Sequence, residues 1–433
     1  MKNPASTRRR WLTVSAVLTT STLLLAGCSG DDGTPVLTWY TNPDDGGQAE
    51  IAARCTDAAE GRYRIETSVL PNDAASQREQ LTRRLAAGDT TMDIMSLDPP
   101  FIPELSEPGF LAPVPDDVAA ATTEDTLDGA LAGAMWKDEI VSVPFWANTQ
   151  LLWYRKSVAE TAGLDMDQPV TWEQLIDAAR DQEKYLGVQG ANAESMTVWV
   201  NALVASAGGQ ILQNPEAGAD ELVTDLDSDA GRAAADVVGT IGSEGLGGPG
   251  LPTQAENESM LLFRGDNGSF MVNWPFVWPA TNAAAEEGAV PEDLIDDIGW
   301  AVYPQMSEGQ ESAPPLGGIN LGVGSESQNQ DLAWDAIQCI VEPENQSYYF
   351  ISNGNPPASA SAYDDPEIEE MFPMADTIRE SLDQAVPRPQ TPYYNEVSTA
   401  IQDSFTPPSQ VAEGTAVETG NFIEKVLRGE ALL

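Results

Sequence analysis

Val36-Leu37-Thr38-Trp39-Tyr40, Tyr63-Arg64-Ile65-Glu66-Thr67-Ser68-Val69-Leu70 and Asp93-Ile94-Met95-Ser96-Leu97 are three strand-like runs separated by two segments of helical spacing. The first segment, roughly 48–60, puts Ile51, Ala52, Cys55 and Ala59 on one face and ends at Gly61; the second, about 75–87, stops at Gly88. Strand, helix, strand, helix, strand calls for an α/β fold with a parallel sheet and right-handed crossovers. In such open sheets ligands bind beyond the carboxyl ends of the strands. Asp45 and Asp98 both lie just past a strand end. Each is a candidate for a crevice, although an Asp in that place also serves as a helix cap or turn former.

Working toward the N-terminus, Lys2 and Arg8-Arg9-Arg10 precede an apolar run from Trp11 to Leu25, then Leu25-Ala26-Gly27-Cys28. That is a charged region, an apolar region and a small-residue cleavage site. The rival, a membrane anchor, meets a run that is short and interrupted by Thr and Ser. Leu-Ala-Gly-Cys before Ser29-Gly30 resembles a bacterial lipoprotein signal, which implies that residues 1–27 are removed and Cys28 is lipidated, with 28–35 as a tether. Thr7 to Leu12 also resembles a twin-arginine export motif.

Composition narrows the chemistry. The formal charge is −47 at pH 7, and the basic leader contributes none of the acid. Such a chain repels nucleic acid and anionic headgroups, so no nucleic-acid partner is expected. The 433 residues suffice for two domains with real cores, and 42 % hydrophobic content is too high for disorder. There is no histidine. This excludes Ser-His-Asp and Cys-His catalysis and His-ligated metals, leaving carboxylate chemistry such as glycoside hydrolysis among enzymes. Past Cys28 only Cys55 and Cys339 remain; in an exported chain they can pair, or stay as two buried thiols. Without a Cys cluster, no metal site or cofactor is expected.

Toward the C-terminus, 140–145 and 151–155 read as strands, the second entered through Trp146-Ala147-Asn148, a crossing from one lobe to another with Asn148 near the hinge. Helices follow after Thr171, from Thr197 to Ala207, from Asp227 or Ser228 to about Gly242, and from Glu256 to Arg264. Phe270-Met271-Val272-Asn273 is a strand that breaks at Pro275, leaving Trp274, Phe276 and Trp278 on a turn. Ring faces there suit the C–H faces of a sugar, unless the rings are core. Residues 298–304 and 316–323 are strands, and Gly317-Gly318 permits close approach of backbone or ligand. Pro387-Arg388-Pro389 holds an arginine on stiff, extended backbone, suited to presenting its donors to hydroxyls, or simply solvated.

Asn148-Thr149-Gln150-Leu151-Leu152-Trp153-Tyr154-Arg155, Val272-Asn273-Trp274-Pro275-Phe276-Val277, Gly317-Gly318-Ile319-Asn320-Leu321 and Val386-Pro387-Arg388-Pro389-Gln390 follow in this order. The whole resembles the extracellular solute-binding proteins of carbohydrate ABC importers, the maltose/maltodextrin-binding type. Most narrowly it resembles actinobacterial trehalose-binding lipoproteins. The resemblance implies a two-lobe periplasmic-binding-protein-like fold: lobe 1 from 36–147 and 298–342, lobe 2 from 148–297 and 343–433. It implies a monomer on the outer face of the cell membrane that closes on a disaccharide and delivers it to permease subunits, with no catalysis. Polar contacts are implied from Asp45, Gln77, Asp98, Asn148, Glu256 (or Glu258), the Gly318 backbone and Arg388, and stacking from Trp274 and Phe276. Cys55 and Cys339 fall where that group carries a disulfide. Trp146 departs from the pattern, where a small or polar residue is expected, and leaves the sugar open. A secreted glycosidase using Asp98 and Glu256, or a binding protein for a non-sugar ligand, stand as alternatives.

Overall fold

The computed structural model describes residues 33–433, so the leader and Cys28 lie outside the described residues. Eleven strands are present in that range. The first five are β1 Val36–Thr41, β2 Arg64–Val69, β3 Ile94–Leu97, β4 Met135–Trp136 and β5 Glu139–Ile140. The rest are β6 Val143–Thr149, β7 Leu151–Arg155, β8 Tyr185–Gly187, β9 Gly268–Asn273, β10 Ile298–Ala301 and β11 Leu316–Gly322.

One sheet runs β2-β1-β3-β11-β6, and a second runs β10-β7-β9-β8. The three N-terminal strands pair in parallel, with Trp39 opposite Thr67 and Ile94. Helices Gly47–Ala58 and Ala74–Ala86 make the crossovers. β11 joins antiparallel to both β3 and β6. Only Gln150 separates β6 in the first sheet from β7 in the second, and the chain crosses again between β10 and β11. This is a two-lobe α/β architecture in which the chain passes from one sheet to the other at Gln150.

Each sheet has its own core. Leu37, Trp39, Phe145, Leu321 and Ile337 pack around the first sheet. Leu152, Trp172, Trp199, Phe270 and Val272 pack beside the second. A third cluster joins Ala147 and Leu316 of the first sheet to Leu151, Trp153 and Met271 of the second, so apolar packing continues through the crossing. At about 25 cal/mol per Å² of apolar surface, burying so many large side chains is the main drive for both lobes. Cys55 and Cys339 form a disulfide that ties the helix Gly47–Ala58 to the helix Gln330–Ile340.

The sequence-based lobe boundaries need two corrections. β10 hydrogen-bonds to β7 in the second sheet, with Gly299 opposite Tyr154, so the return to the first sheet comes after Ala301 rather than at Ile298. A Cβ on Gly299 would lie 2.3 Å from the Tyr154 ring, a fit that strand periodicity does not encode. The helix Pro343–Asn353 also packs on the helix Gly47–Ala58 of the first lobe, with Tyr349 stacked on Phe145 at 5.0 Å.

Candidate functional site

The carboxyl ends of the first sheet open on a cleft. Asn42 follows β1, Asn72 and Asp73 follow β2, and Asp98 follows β3; all four line a cavity of about 460 Å³, within the ~300–1,000 Å³ usual for small-molecule sites. Glu194, Glu256 and Trp274 line it from the second lobe.

β9 places the aromatic wall. All six of its residues are buried, so the strand is enclosed on both faces. Asn273 is buried and accounts for its own polar atoms: its Nδ2 donates to Glu256 O (2.9 Å) and Ser259 Oγ (3.0 Å), and its Oδ1 accepts from Trp274 N at 2.9 Å. This ties the start of the helix Glu256–Arg264 to the end of β9 and fixes both Glu256 and Trp274 at the cleft. Pro275 ends the strand as expected, and Trp274 and Phe276 line the cavity half-buried. Trp278 does not join them. It lies in the helix Val277–Glu286, donates to Met371 O at 3.1 Å and packs edge-on to Trp300. Helical spacing turns it away from the cleft and against the edge of the core, where it stays partly buried.

Gly317 faces the Trp274 ring across the cleft, and Gly318 lies against the β6 backbone. A Cβ on Gly317 would lie 3.0 Å from that ring, and Gly318 holds φ +116° with only 2.3 Å between its ideal Cβ and Trp146 O. Gly318 demands glycine for both close approach and its left-handed backbone, and at Gly317 a side chain would press on the Trp274 ring.

Arg388 is the electrostatic centre. Its side chain is 5 % exposed; Nη2 donates to Asp98 Oδ1 at 2.7 Å and Nη1 to Glu194 Oε1 at 2.6 Å. It thereby joins a first-lobe carboxylate to a second-lobe one. Glu194 also accepts from Tyr394 Oη and, at 2.7 Å, from Ser398 Oγ. Burial opposes the charge on Arg388, but Asp98, Tyr394 and Glu194 outweigh it and hold the guanidinium well above its ordinary pKa. Burial pushes the Asp98 carboxyl up, Arg388 opposes this, and Glu194 adds to it. Burial likewise raises Glu256, offset in part by backbone and Trp274 hydrogen bonding. Several buried polar atoms in the wall lack a partner among the described residues: Asn42 Oδ1, Trp146 Nε1, Ser195 Oγ and Arg388 Nε. Such atoms are costly to leave unmade.

Residues 50–374 match the family described as bacterial extracellular solute-binding protein. The chain belongs to that family. A probable ABC transporter-binding protein of Deinococcus radiodurans is 25 % identical over 61 % of this chain and 63 % of its own length, so the match spans under two thirds of that relative. Among solved structures, maltose-bound MalE3 of T. maritima is 25 % identical, covers 92 % of this chain and 100 % of its own, and has a TM-score of 0.75. A Thermotoga lettingae solute-binding protein bound to α-D-tagatose is 21 % identical over 91 % of this chain and 100 % of its own, with a TM-score of 0.72.

In this solute-binding protein the cavity brings together Gln77, Asp98, Asn148, Glu256, Trp274, Phe276, Gly318 and Arg388. Asp45 is not among its lining residues. The turn through Gly46 commits Asp44, which accepts from Gly46 N and Gln48 N at 3.1 and 2.8 Å, to the start of the next helix and leaves Asp45 exposed. Gln77 is oriented by Pro71 O at 2.7 Å and in turn accepts from Asn42 Nδ2 at 2.9 Å. Asn148 sits opposite Gly317 in the ladder. Glu194 is the main residue the sequence reading missed. Starting the helix at Thr197 left Glu194 in a loop, whereas the helix runs Glu194–Ser206 with Glu194 in its first turn. An acid just ahead of a long apolar helix was the available signal. Trp146, flagged as a departure, does line the cavity, its ring centroid 6.5 Å from that of Tyr349.

Proposed function

We propose that the protein is the substrate-binding component of an ABC sugar importer that captures a disaccharide, trehalose ahead of maltose, by closure of its two lobes. The observation that carries this reading is the pairing of ring faces with charged hydrogen-bonding groups in one cleft: Trp274 and Phe276 beside Asp98, Glu194, Glu256 and Arg388. Rings cover the C–H faces of a pyranose, and charge-assisted bonds to its hydroxyls contribute roughly 1.5–3 kcal/mol each. Gln77, Asn148 and the Gly318 backbone supply further polar contacts. The order of matching segments along the chain supports trehalose, and the maltose-bound relative supports a disaccharide. The protein acts as a monomer, anchored through a lipid on Cys28 to the outer face of the cell membrane, and hands its ligand to permease subunits. Lobe closure is the two-state element on which the ligand acts.

The Asp98 carboxylate is held by Arg388 at 2.7 Å rather than left free in the cleft, which favours binding over hydrolysis. The test is calorimetry of the purified protein against trehalose, maltose, sucrose, glucose and maltotriose, with the sugars recovered and analysed. Saturable binding strongest for trehalose, with every sugar intact, supports the reading. Preference for maltose moves the specificity and puts Trp146 first in question; release of glucose at enzyme-like rates overturns the binding role.

A further inference from the structure

The charges lining the cleft do not balance. Asp73, Asp98, Glu194 and Glu256 stand against a single cation, Arg388. Three of the four acids are engaged. Asp73 accepts from Ser76 N at 2.8 Å and caps the helix Ala74–Ala86. Asp98 and Glu194 share the two ends of the Arg388 fork. Glu256 stands apart: among the described residues it has no ion pair, and the charged groups that act on it are the carboxylates of Glu258 and Glu194. Its backbone is fixed by Asn273 and Ser259, so the side chain is held at the cleft wall.

A cleft-wall carboxylate without an ion pair, in a cavity whose acids outnumber its cation, gains when a second cation arrives beside it. Trp274 and Phe276 line the same cavity as Glu256. Carboxylate and indole together form the environment that attracts an ammonium group, by charge pairing and by cation–π attraction.

We propose that the cleft takes sugars bearing a protonated amine, with Glu256 as the receptor of the ammonium group and Trp274 beside it. This rests on the sugar-binding reading above and narrows its ligand class to amino-substituted sugars, with neutral sugars second and sugar acids excluded. The test is calorimetry of the wild-type protein with isosteric sets: trehalose, its 2-amino-2-deoxy and 6-amino-6-deoxy forms and its 6-uronic acid, then the corresponding maltose set. The expected result is one amino form binding about tenfold or more tighter than its neutral parent, and the uronic acid binding weaker than either. In Glu256→Gln, checked for an unchanged melting profile, that preference collapses to about twofold or less. Both amino forms equal to or weaker than the neutral parents, or a preference unchanged in Glu256→Gln, overturns the proposal while leaving sugar binding in place. Binding of none of the sugars defeats the reading beneath it instead.

Discussion

Replacing Arg388 with methionine tests the electrostatic centre of the cleft. The substitution keeps length and apolar volume but removes both charge-assisted bonds, the 2.7 Å contact to Asp98 and the 2.6 Å contact to Glu194. Asp98 is 18 % exposed and Glu194 26 %, so neither carboxylate regains full hydration. Removing one partner of a buried ion pair costs about 3–5 kcal/mol, mostly from the charge left behind. Two features set the result at the lower end. Glu194 retains Tyr394 and Ser398 as donors. Asp98, already pushed up by burial, can take a proton once the guanidinium is gone. The expected loss is therefore about 3 kcal/mol at pH 7 by urea denaturation, shrinking as pH falls and Asp98 is neutralised. The double variant Asp98→Asn/Arg388→Met should recover part of the loss, because it removes the stranded charge. A single variant that loses under about 1 kcal/mol, or a double variant whose losses simply add, refutes the claim that Arg388 holds two buried carboxylates.

Three further outcomes follow from the same geometry. Gly318→Ala forces a Cβ to within 2.3 Å of Trp146 O at φ +116°, and should cost about 2 kcal/mol or more, read as a lower unfolding midpoint. Reduction, or Cys339→Ser, opens a link spanning a sequence separation of 284; a loop that long stabilises by up to about 5 kcal/mol, so the midpoint should fall under reducing conditions and stay unmoved by reductant in the variant. Asp297 accepts from Arg155 Nε (2.7 Å), Ser157 N (2.7 Å) and Ser157 Oγ (2.9 Å); burial raises its pKa, but these partners prevail and hold it below the usual value. Its contribution, about 1–3 kcal/mol, is full above the unfolded pKa near 4 and disappears as pH falls through the lower folded value. Asp297→Asn should thus differ from wild type at pH 7 and converge with it in acid.

Much of the fold was legible because its signals are local. Alternation and helical spacing located β1, β2, β3 and the helices between them, and Pro275 stopped β9 where its missing N–H requires. What stayed hidden depends on partners distant in sequence. Nothing within Ile298–Ala301 says which sheet takes it; the fit of Gly299 under the Tyr154 ring does. Trp278 looks like its aromatic neighbours until the helix beginning at Val277 turns it toward Trp300. In the site, residues just past strand ends were readable from the rule for open sheets, as with Asp98. The same rule also pointed to Asp45, which the turn through Gly46 leaves exposed outside the cavity. Glu194 could be read as the acid opening a long helix, but its place in the cleft depends on Arg388, far along the chain, folding onto it.

The most direct test of the central claim, that this cleft binds the transported solute, is a parallel calorimetric titration of wild type and Trp274→Ala with trehalose. The Trp274 ring is half-buried and packs against Gly317 across the cleft, so its loss should leave the melting profile near that of wild type. The account predicts saturable one-to-one binding by wild type and a loss of about a hundredfold or more in the variant. Equal affinity in the two proteins would contradict it and place the solute elsewhere.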